Sequence, residues 1–248
     1  MQNPFSLEGK TILITGASSG IGKAVAQECA AACATCIITA RNEERLTATL
    51  SSLDGEGHQH LLADLSQTEC IETIVEQLPK LDGVVSCAGI VETKMLKFTE
   101  EDDLLRLFNT NAFSSIRLIR TLVQQKKLKK EASIVIISSI SGVKCGYLGG
   151  SIYGATKGAL EGFVKATALE LAPQKIRVNT ITPGMVETSL LKDSEIDSEL
   201  LEADKLKYPF KRYGNPEEVG YSAVYLLSDA TKWMTGTSLL IDGGYTLN

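Results

Sequence analysis

The sequence predicts an α/β fold in one domain: a doubly wound, seven-stranded parallel sheet flanked by helices. Three observations point there. The apolar run Thr11, Ile12, Leu13, Ile14 passes through TGASSGIG (residues 15–22) into a helical pattern, which reads as strand, glycine turn and helix. Seven such apolar runs alternate with helical patterns along the chain, and strands connected in this way lie parallel with crossover helices between them. The 248 residues, 44% of them hydrophobic, suffice for one large core, and no repeat, low-complexity segment or linker divides them.

Taken in order, strands are expected at residues 11–15, 36–40, 59–63, 83–87, 134–138, 177–181 and 238–241. Helix starts are expected from the capping boxes Ser66 with Glu69 and Thr99 with Asp102, and from residues 215–218, where Asn215 reads as a cap followed by Pro216. In an open parallel sheet a ligand sits beyond the carboxyl ends of the strands, so the residues just after each run are those to inspect. After the first strand stand Gly16, Gly20 and Gly22, where a missing Cβ permits a sharp turn, a close approach to a ligand and tight packing of the next helix. The free N–H groups and positive dipole of that helix start suit an anion, and a dinucleotide pyrophosphate is the natural occupant.

After the second strand, nineteen residues beyond Gly22, comes Arg41, where an NAD site would place an acid on the ribose 2′-hydroxyl. Arg41 reads two ways: as a bidentate partner for a 2′-phosphate, favouring NADP over NAD, or as a solvated first-turn residue of the next helix. Asp64, after the third strand, reads as an acceptor for an adenine amino group or as a helix-start carboxylate. After the fourth, Ser86, Cys87, Ala88 and Gly89 are small enough for the backbone to pass close to a ribose.

The formal net charge of −5 argues against a general nucleic-acid binder, which needs a basic face. The amino terminus has no charged-then-apolar signal pattern and no apolar run approaches a membrane span, so a cytoplasmic, soluble protein is expected. Six cysteines without a signal peptide read as reduced thiols, and the pair Cys33 and Cys36 as small buried side chains. His58 and His60, alternating along the third strand, lack partner ligands, so no metal site is expected.

Residues 102–123 read as one amphipathic helix with Leu104, Phe108, Asn111, Ser115, Leu118 and Leu122 on a shared stripe. Asn111 then points inward, where its amide either ties to neighbouring backbone or holds a water. The fifth strand ends in Ser138 and Ser139, and a glycine-rich loop leads to Tyr153 and Lys157, four apart and so on one helix face. That spacing is common as a surface tyrosine and a solvated lysine. Beside a strand-end serine it also describes a phenol whose pKa is lowered by a fixed ammonium, by ~2 units for ~3 kcal/mol of differential interaction, for proton transfer to a carbonyl during hydride transfer.

Together these residues resemble the short-chain dehydrogenase/reductase family across nearly the whole chain. TGASSGIG looks like its cofactor turn, Asp64 its adenine contact, Asn111 its helix asparagine, Ser139 its serine, YGATK (153–157) its YxxxK motif, Pro183 and Gly184 with Thr188 its nicotinamide-contacting segment, and Asp242, Gly243 and Gly244 its carboxyl-terminal turn. The resemblance implies a Rossmann fold with Tyr153 as acid/base, Ser139 orienting the carbonyl, Lys157 holding the ribose and lowering the tyrosine pKa, and Asn111 holding a water of the proton relay. It also implies dinucleotide contacts from Gly16, Ser18, Ser19, Gly20, Ile21 and Gly22, from Arg41, Asp64 and Leu65, from Cys87, Ala88 and Gly89, from Tyr153 and Lys157, and from Pro183, Gly184, Val186 and Thr188. Two residues depart from the family pattern: Ser86 and Cys87 replace the asparagines of its NNAG run, and Cys33 stands where glycine commonly ends the first helix.

Residues 185–213 resemble the family's substrate lid, and their apolar members, among them Met185, Leu190, Leu191, Leu200, Tyr208 and Phe210, either cover a hydrophobic substrate or pack onto the core. Lys126, Lys127, Lys129 and Lys130 read as a solvated helix end or as a basic meeting point for an acyl carrier protein. The expected activity is NADP(H)-dependent interconversion of a carbonyl and a secondary alcohol, most like the 3-oxoacyl-acyl-carrier-protein reductases, with a homotetramer implied. The small residues Gly154, Ala155, Gly158, Ala159 and Gly162 suit close helix approach. The rival readings are a family dehydrogenase for alcohols, sugars or steroids and a non-catalytic NADPH-binding regulator.

Overall fold

The computed structural model describes residues 3–188 and 198–247. Seven strands, β1 (Thr11–Thr15), β2 (Thr35–Ala40), β3 (Gln59–Leu62), β4 (Leu81–Ser86), β5 (Leu128–Ile137), β6 (Arg177–Pro183) and β7 (Ser238–Ile241), form one parallel sheet in the order β3-β2-β1-β4-β5-β6-β7. The order reverses between β1 and β4, which places a crevice at their carboxyl ends. Helices cover both faces: α1 (Gly20–Ala31), α2 (Glu43–Leu50) and α8 (Pro216–Leu227) one, and α3 (Thr68–Gln77), α5 (Ser114–Gln124) and α6 (Ser151–Leu171) the other. Alternation along β1 explains the two cores, because Ile12 and Ile14 meet Val25, Leu46 and Ala223, whereas Leu13 joins Ile74, Leu118 and Leu160. Among the described residues, no helix is long and apolar enough to cross a membrane, and no three His, Cys, Asp or Glu residues are grouped as a metal site.

The strands fall where the apolar runs place them, except that β5 begins six residues earlier, because Leu128 pairs with Leu81 of β4 ahead of a register shift that the polar segment between Leu128 and Ser133 absorbs. Two helix starts are displaced. Asn215 caps α8 as expected, and Glu218 completes the cap reciprocally, but α4 (Glu101–Phe108) is capped by Glu100 with Asp103 rather than by Thr99 with Asp102. The α3 cap position is Gln67, and Ser66 instead donates its hydroxyl to Asp64 at 2.8 Å. The helix expected over 102–123 is interrupted: a π turn (Asn109–Phe113) separates α4 from α5. Its widened turn shifts the inward stripe, so Leu107 is buried upstream while Leu104 and Phe108 are half-buried. His58 precedes β3 and is a structural tie, Nδ1 accepting from Cys36 N–H at 3.0 Å. All six cysteines are free; Cys36 is buried, but Cys33 is exposed and holds a φ of +70°, the backbone region that glycine adopts without strain.

At the reversal the β1 turn lies against the β4 loop. The Thr15 hydroxyl oxygen accepts the N–H groups of both Cys87, at 3.1 Å, and Ala88, at 3.2 Å. Thr15 is itself fully buried, so Thr15→Val strands both donors and is expected to cost roughly 1–3 kcal/mol, whereas Thr15→Ser, which keeps the acceptor, is expected to cost less. Chemical denaturation of the two variants checks this.

Candidate active site

The glycine turn has the geometry of an anion cradle. Gly16 and Gly20 have φ of +66° and +52°, and a Cβ on Gly16 would stand 2.9 Å from Ala88 N. A Cβ on Gly22 would stand 2.3 Å from the Gly16 carbonyl oxygen, so the first turn of α1 packs directly on the loop. Ser19 precedes α1 in extended conformation without a side-chain cap bond, and no acidic residue sits in the first turn. The opening N–H groups of α1 are therefore left for a ligand, as a dinucleotide pyrophosphate requires. Beside the turn lies a cavity of about 450 Å³ lined by Ser18, Ser19, Gly20, Lys23, Arg45 and Thr188, among others. The Thr188 methyl group approaches Gly20, where a Cβ would meet it at 3.2 Å. Ile21 turns the other way and packs against the core beneath.

Arg41 is exposed between β2 and the cap of α2, where Asn42 accepts Arg45 N–H at 2.8 Å. It precedes that helix rather than belonging to its first turn. Asp64 Oδ1 accepts both the N–H and the hydroxyl of Ser66, so the loop after β3 is fixed by the carboxylate. The Leu65 side chain is buried in the core, which leaves its backbone as the part able to face a ligand. Burial pushes the Cys87 thiol up to about 12, with the Lys157 ammonium opposing, so at neutral pH it is an uncharged small side chain in the crevice. At the far side, β6 ends at Pro183, Gly184 N–H donates to the Ile241 carbonyl at 3.1 Å, and Val186 is buried where it bridges to Gly214.

The chemistry-bearing side chains converge above β4 and β5. Lys157 is 6% exposed; its ammonium donates to the Ile137 carbonyl at 3.0 Å and lies 5.8 Å from the centroid of the Tyr153 ring. Gly89 separates it from Asn111: a Cβ there would stand 3.3 Å from Asn111 Oδ1 and 3.7 Å from Lys157 Nζ. Asn111, in the π turn and fully buried, clamps Ile90 with both ends of its amide, Oδ1 accepting Ile90 N–H at 2.7 Å and Nδ2 donating to Ile90 O at 2.9 Å. Nδ2 also reaches the Thr156 hydroxyl at 3.4 Å. The Ser139 hydroxyl accepts Ser141 N–H at 3.1 Å and hydrogen-bonds the Tyr153 phenol, while Ser138 is buried with its hydroxyl unpartnered beneath the site.

One sequence expectation is reversed. Burial pushes the Tyr153 phenol up to about 12, against the Ser139 hydrogen bond, which lowers it, and with a further push from Tyr147. Burial also drives Lys157 down to about 8, opposed by Cys87. The ammonium is spent on a backbone carbonyl and stands 5.8 Å from the centroid of the ring, so desolvation outweighs its attraction. The resulting pair, a phenol that keeps its proton at neutral pH beside a buried cation, is arranged to donate that proton.

Other contributors carry no local sequence signal. Thr15 and Thr156 look like ordinary strand and helix residues, and Lys23 and Arg45 like solvated helix charges. Lys127 donates to the Leu78 carbonyl at 2.6 Å and Lys129 to Asp82 at 2.7 Å, whereas Lys126 and Lys130 are the more exposed members of the basic run. Gly154 and Gly158 face the Gly142 loop of this same chain, whereas Ala155, Ala159 and Gly162 are exposed. Leu190 and Leu191 lie outside the described residues; Tyr208 is packed inward and Phe210 is exposed.

A family model described as "Enoyl-(Acyl carrier protein) reductase" matches residues 16–246. The 3-oxoacyl-(acyl-carrier-protein) reductase of Bos taurus is 35% identical over 242 residues, covering 96% of this chain and 98% of its own. That of Thermotoga maritima is 34% identical, covering 97% and 99%. A solved short-chain dehydrogenase/reductase from Serratia marcescens superposes with a TM-score of 0.90 at 29% identity, covering 98% of this chain and 100% of that one.

Proposed function

The chain belongs to the short-chain dehydrogenase/reductase family, a family of nicotinamide-dependent oxidoreductases, and on that premise we propose that it is an NADP(H)-dependent carbonyl reductase whose substrate is a 3-oxoacyl thioester carried by an acyl carrier protein. The observation that carries the reading is geometric: the Tyr153 phenol beside Ser139 at the end of β5, with Lys157 buried one helical turn on and its ammonium 5.8 Å from the centroid of the phenol ring. What the bound nicotinamide supplies is the hydride, delivered to the carbonyl carbon. Ser139 holds the carbonyl oxygen beside the phenol, and Tyr153 gives its proton to that oxygen as negative charge develops there. Lys157 holds the nicotinamide ribose and provides positive charge beside the phenolate left behind. Asn111, its buried amide committed at both ends to Ile90 and so tied to backbone rather than free for a relay water, braces the loop that stands beside Lys157 across Gly89.

Arg41, exposed in place of an acid immediately after β2, supports a 2′-phosphate and so NADPH over NADH, with Lys23 and Arg45 the cations of a neighbouring cavity that Glu187 and Glu217 also line. The names of the bovine and Thermotoga relatives support the carrier-linked substrate, and exposed Lys126 and Lys130 are basic groups able to meet an acidic carrier. The exposed small face of α6 at Ala155, Ala159 and Gly162 supports packing against a second copy, within a homotetramer in the cytoplasm. The single dinucleotide-binding domain then spans residues 1–248, with the substrate lid at about 185–213.

Tyr153→Phe is expected to lower NADPH-dependent ketone reduction by about 10²–10⁴-fold while NADPH still binds in a fluorescence titration. Undiminished turnover rejects Tyr153 as the acid; binding without turnover in the unaltered protein leaves a dinucleotide-binding regulator. Because the reductive step uses the proton on Tyr153 and the charge on Lys157, kcat/KM for reduction is expected to fall as pH rises through about 8, where Lys157 is neutralised. Alcohol oxidation, which needs the phenolate, is expected to rise only at higher pH, toward the value of about 12 to which burial pushes Tyr153. Arg41→Ala is expected to raise the Kd for NADPH about tenfold and leave that for NADH unchanged, as measured in parallel titrations.

A further inference from the structure

Tyr208 lies just beyond α7 (Ser198–Lys205), is 3% exposed, and joins three separate pieces of chain at the carboxyl edge of the sheet. Its hydroxyl oxygen accepts Met185 N–H at 3.0 Å. Its ring lies over Gly184, where an added Cβ would sit 3.3 Å from Tyr208 Cε1 and 3.1 Å from Asp242 Cα, so the glycine is held between the two. The same ring packs on Tyr245 at a centroid distance of 4.7 Å and meets Tyr213 edge-on at 5.5 Å. Tyr213 in turn donates its hydroxyl to Asp204 of α7 at 3.0 Å. The Met185 carbonyl accepts Gly214 N–H, also at 3.0 Å, so both polar groups of the Met185 backbone are committed to residues between Tyr208 and Gly214.

We propose that Tyr208 is a positioning residue for the dinucleotide site: its hydroxyl and ring set the height of the turn formed by Pro183, Gly184 and Met185, and with it that of Val186, buried against Gly214, and of Thr188, which faces the glycine turn. This rests on the reading of residues 183–188 as a nicotinamide contact. The link is direct, since two residues after Val186 the Thr188 methyl already touches the position a Gly20 Cβ would take. A phenyl ring in place of the phenol keeps the packing on Tyr245 and Gly184 but leaves the part-buried Met185 N–H without its acceptor, and an N–H that loses its partner pulls the backbone toward another. Dinucleotide affinity then depends on how the segment from α7 to Gly214 is seated, and this places control of the cofactor site in the same residues that border the substrate side.

The test is a titration of NADPH, followed by nicotinamide fluorescence, into the full chain and into Tyr208→Phe, with the melting temperature of each measured without cofactor. The expected result is a Kd for NADPH raised roughly tenfold in Tyr208→Phe, a KM for NADPH that rises with it, a smaller fall in kcat at saturating NADPH, and a melting temperature close to that of the unaltered chain. A lowered melting temperature with an unchanged Kd makes Tyr208 merely structural and overturns the proposal. So does an unchanged Kd in a variant that melts normally. Should Tyr208→Phe fail to fold, Tyr213→Phe, which cuts the tie to Asp204 but leaves Tyr208 in place, decides: a raised Kd supports the proposal and an unchanged one rejects it. Failure of the unaltered chain to bind NADPH or NADH overturns the reading of the site and the proposal with it, whereas normal binding insensitive to both variants removes the proposal alone.

Discussion

The structure depends on how closely the first turn can approach the loop after β4. Gly16 has no side chain to hold the Ala88 amide away, Gly22 allows α1 to rest on the Gly16 carbonyl, and one threonine oxygen receives two amides from the opposite loop. Those three contacts fix the crevice at the point where the sheet changes direction. The uncapped amides of α1 on one side, and Gly89, Asn111 and Lys157 on the other, are at a set spacing because the two loops cannot separate without exposing buried donors.

Around that crevice, burial rather than charge governs proton affinity. An ammonium near a phenol is expected to favour the phenolate, yet here both groups are desolvated and each moves toward its neutral form. The cation is held by a main-chain oxygen and stands over the ring face, which is where the proposed roles of holding a ribose and meeting charge that appears only during reaction require it. A site of this kind keeps its acid loaded and stabilises the conjugate base only when the base is formed.

What could be read from the residues is what depends on residue type at fixed local spacing. Gly16, Gly20 and Gly22 satisfy a backbone demand that other residues meet poorly, the strands appear as apolar runs, and Tyr153 and Lys157 share a face because they are one turn apart on α6. What could not be read is non-local. Thr15 binds amides 72 and 73 residues away, and Tyr208 an amide 23 residues away; neither partner leaves a mark on the flanking sequence. The cap positions at Gln67 and Glu100 differ by one residue from those expected because neighbouring polar residues compete for the same amides and packing decides between them. The inverted expectation for Tyr153 has the same origin: spacing places the lysine on the right face but says nothing of the depth at which the pair is buried.

The widened turn at Asn109–Phe113 holds one residue more than a regular helix needs for the same rise. In a straight helix each residue advances the face by about 100°, so loss of any one residue between α4 and α5 lets the two helices run on as a single uninterrupted rod while swinging the Asn111 amide away from Ile90. Substitutions along this stretch leave the register intact, and a one-residue deletion does not. The segment therefore acts as a length constraint on the gene: an insertion fixed in the middle of a helix, tolerant of changes in letter and intolerant of changes in count.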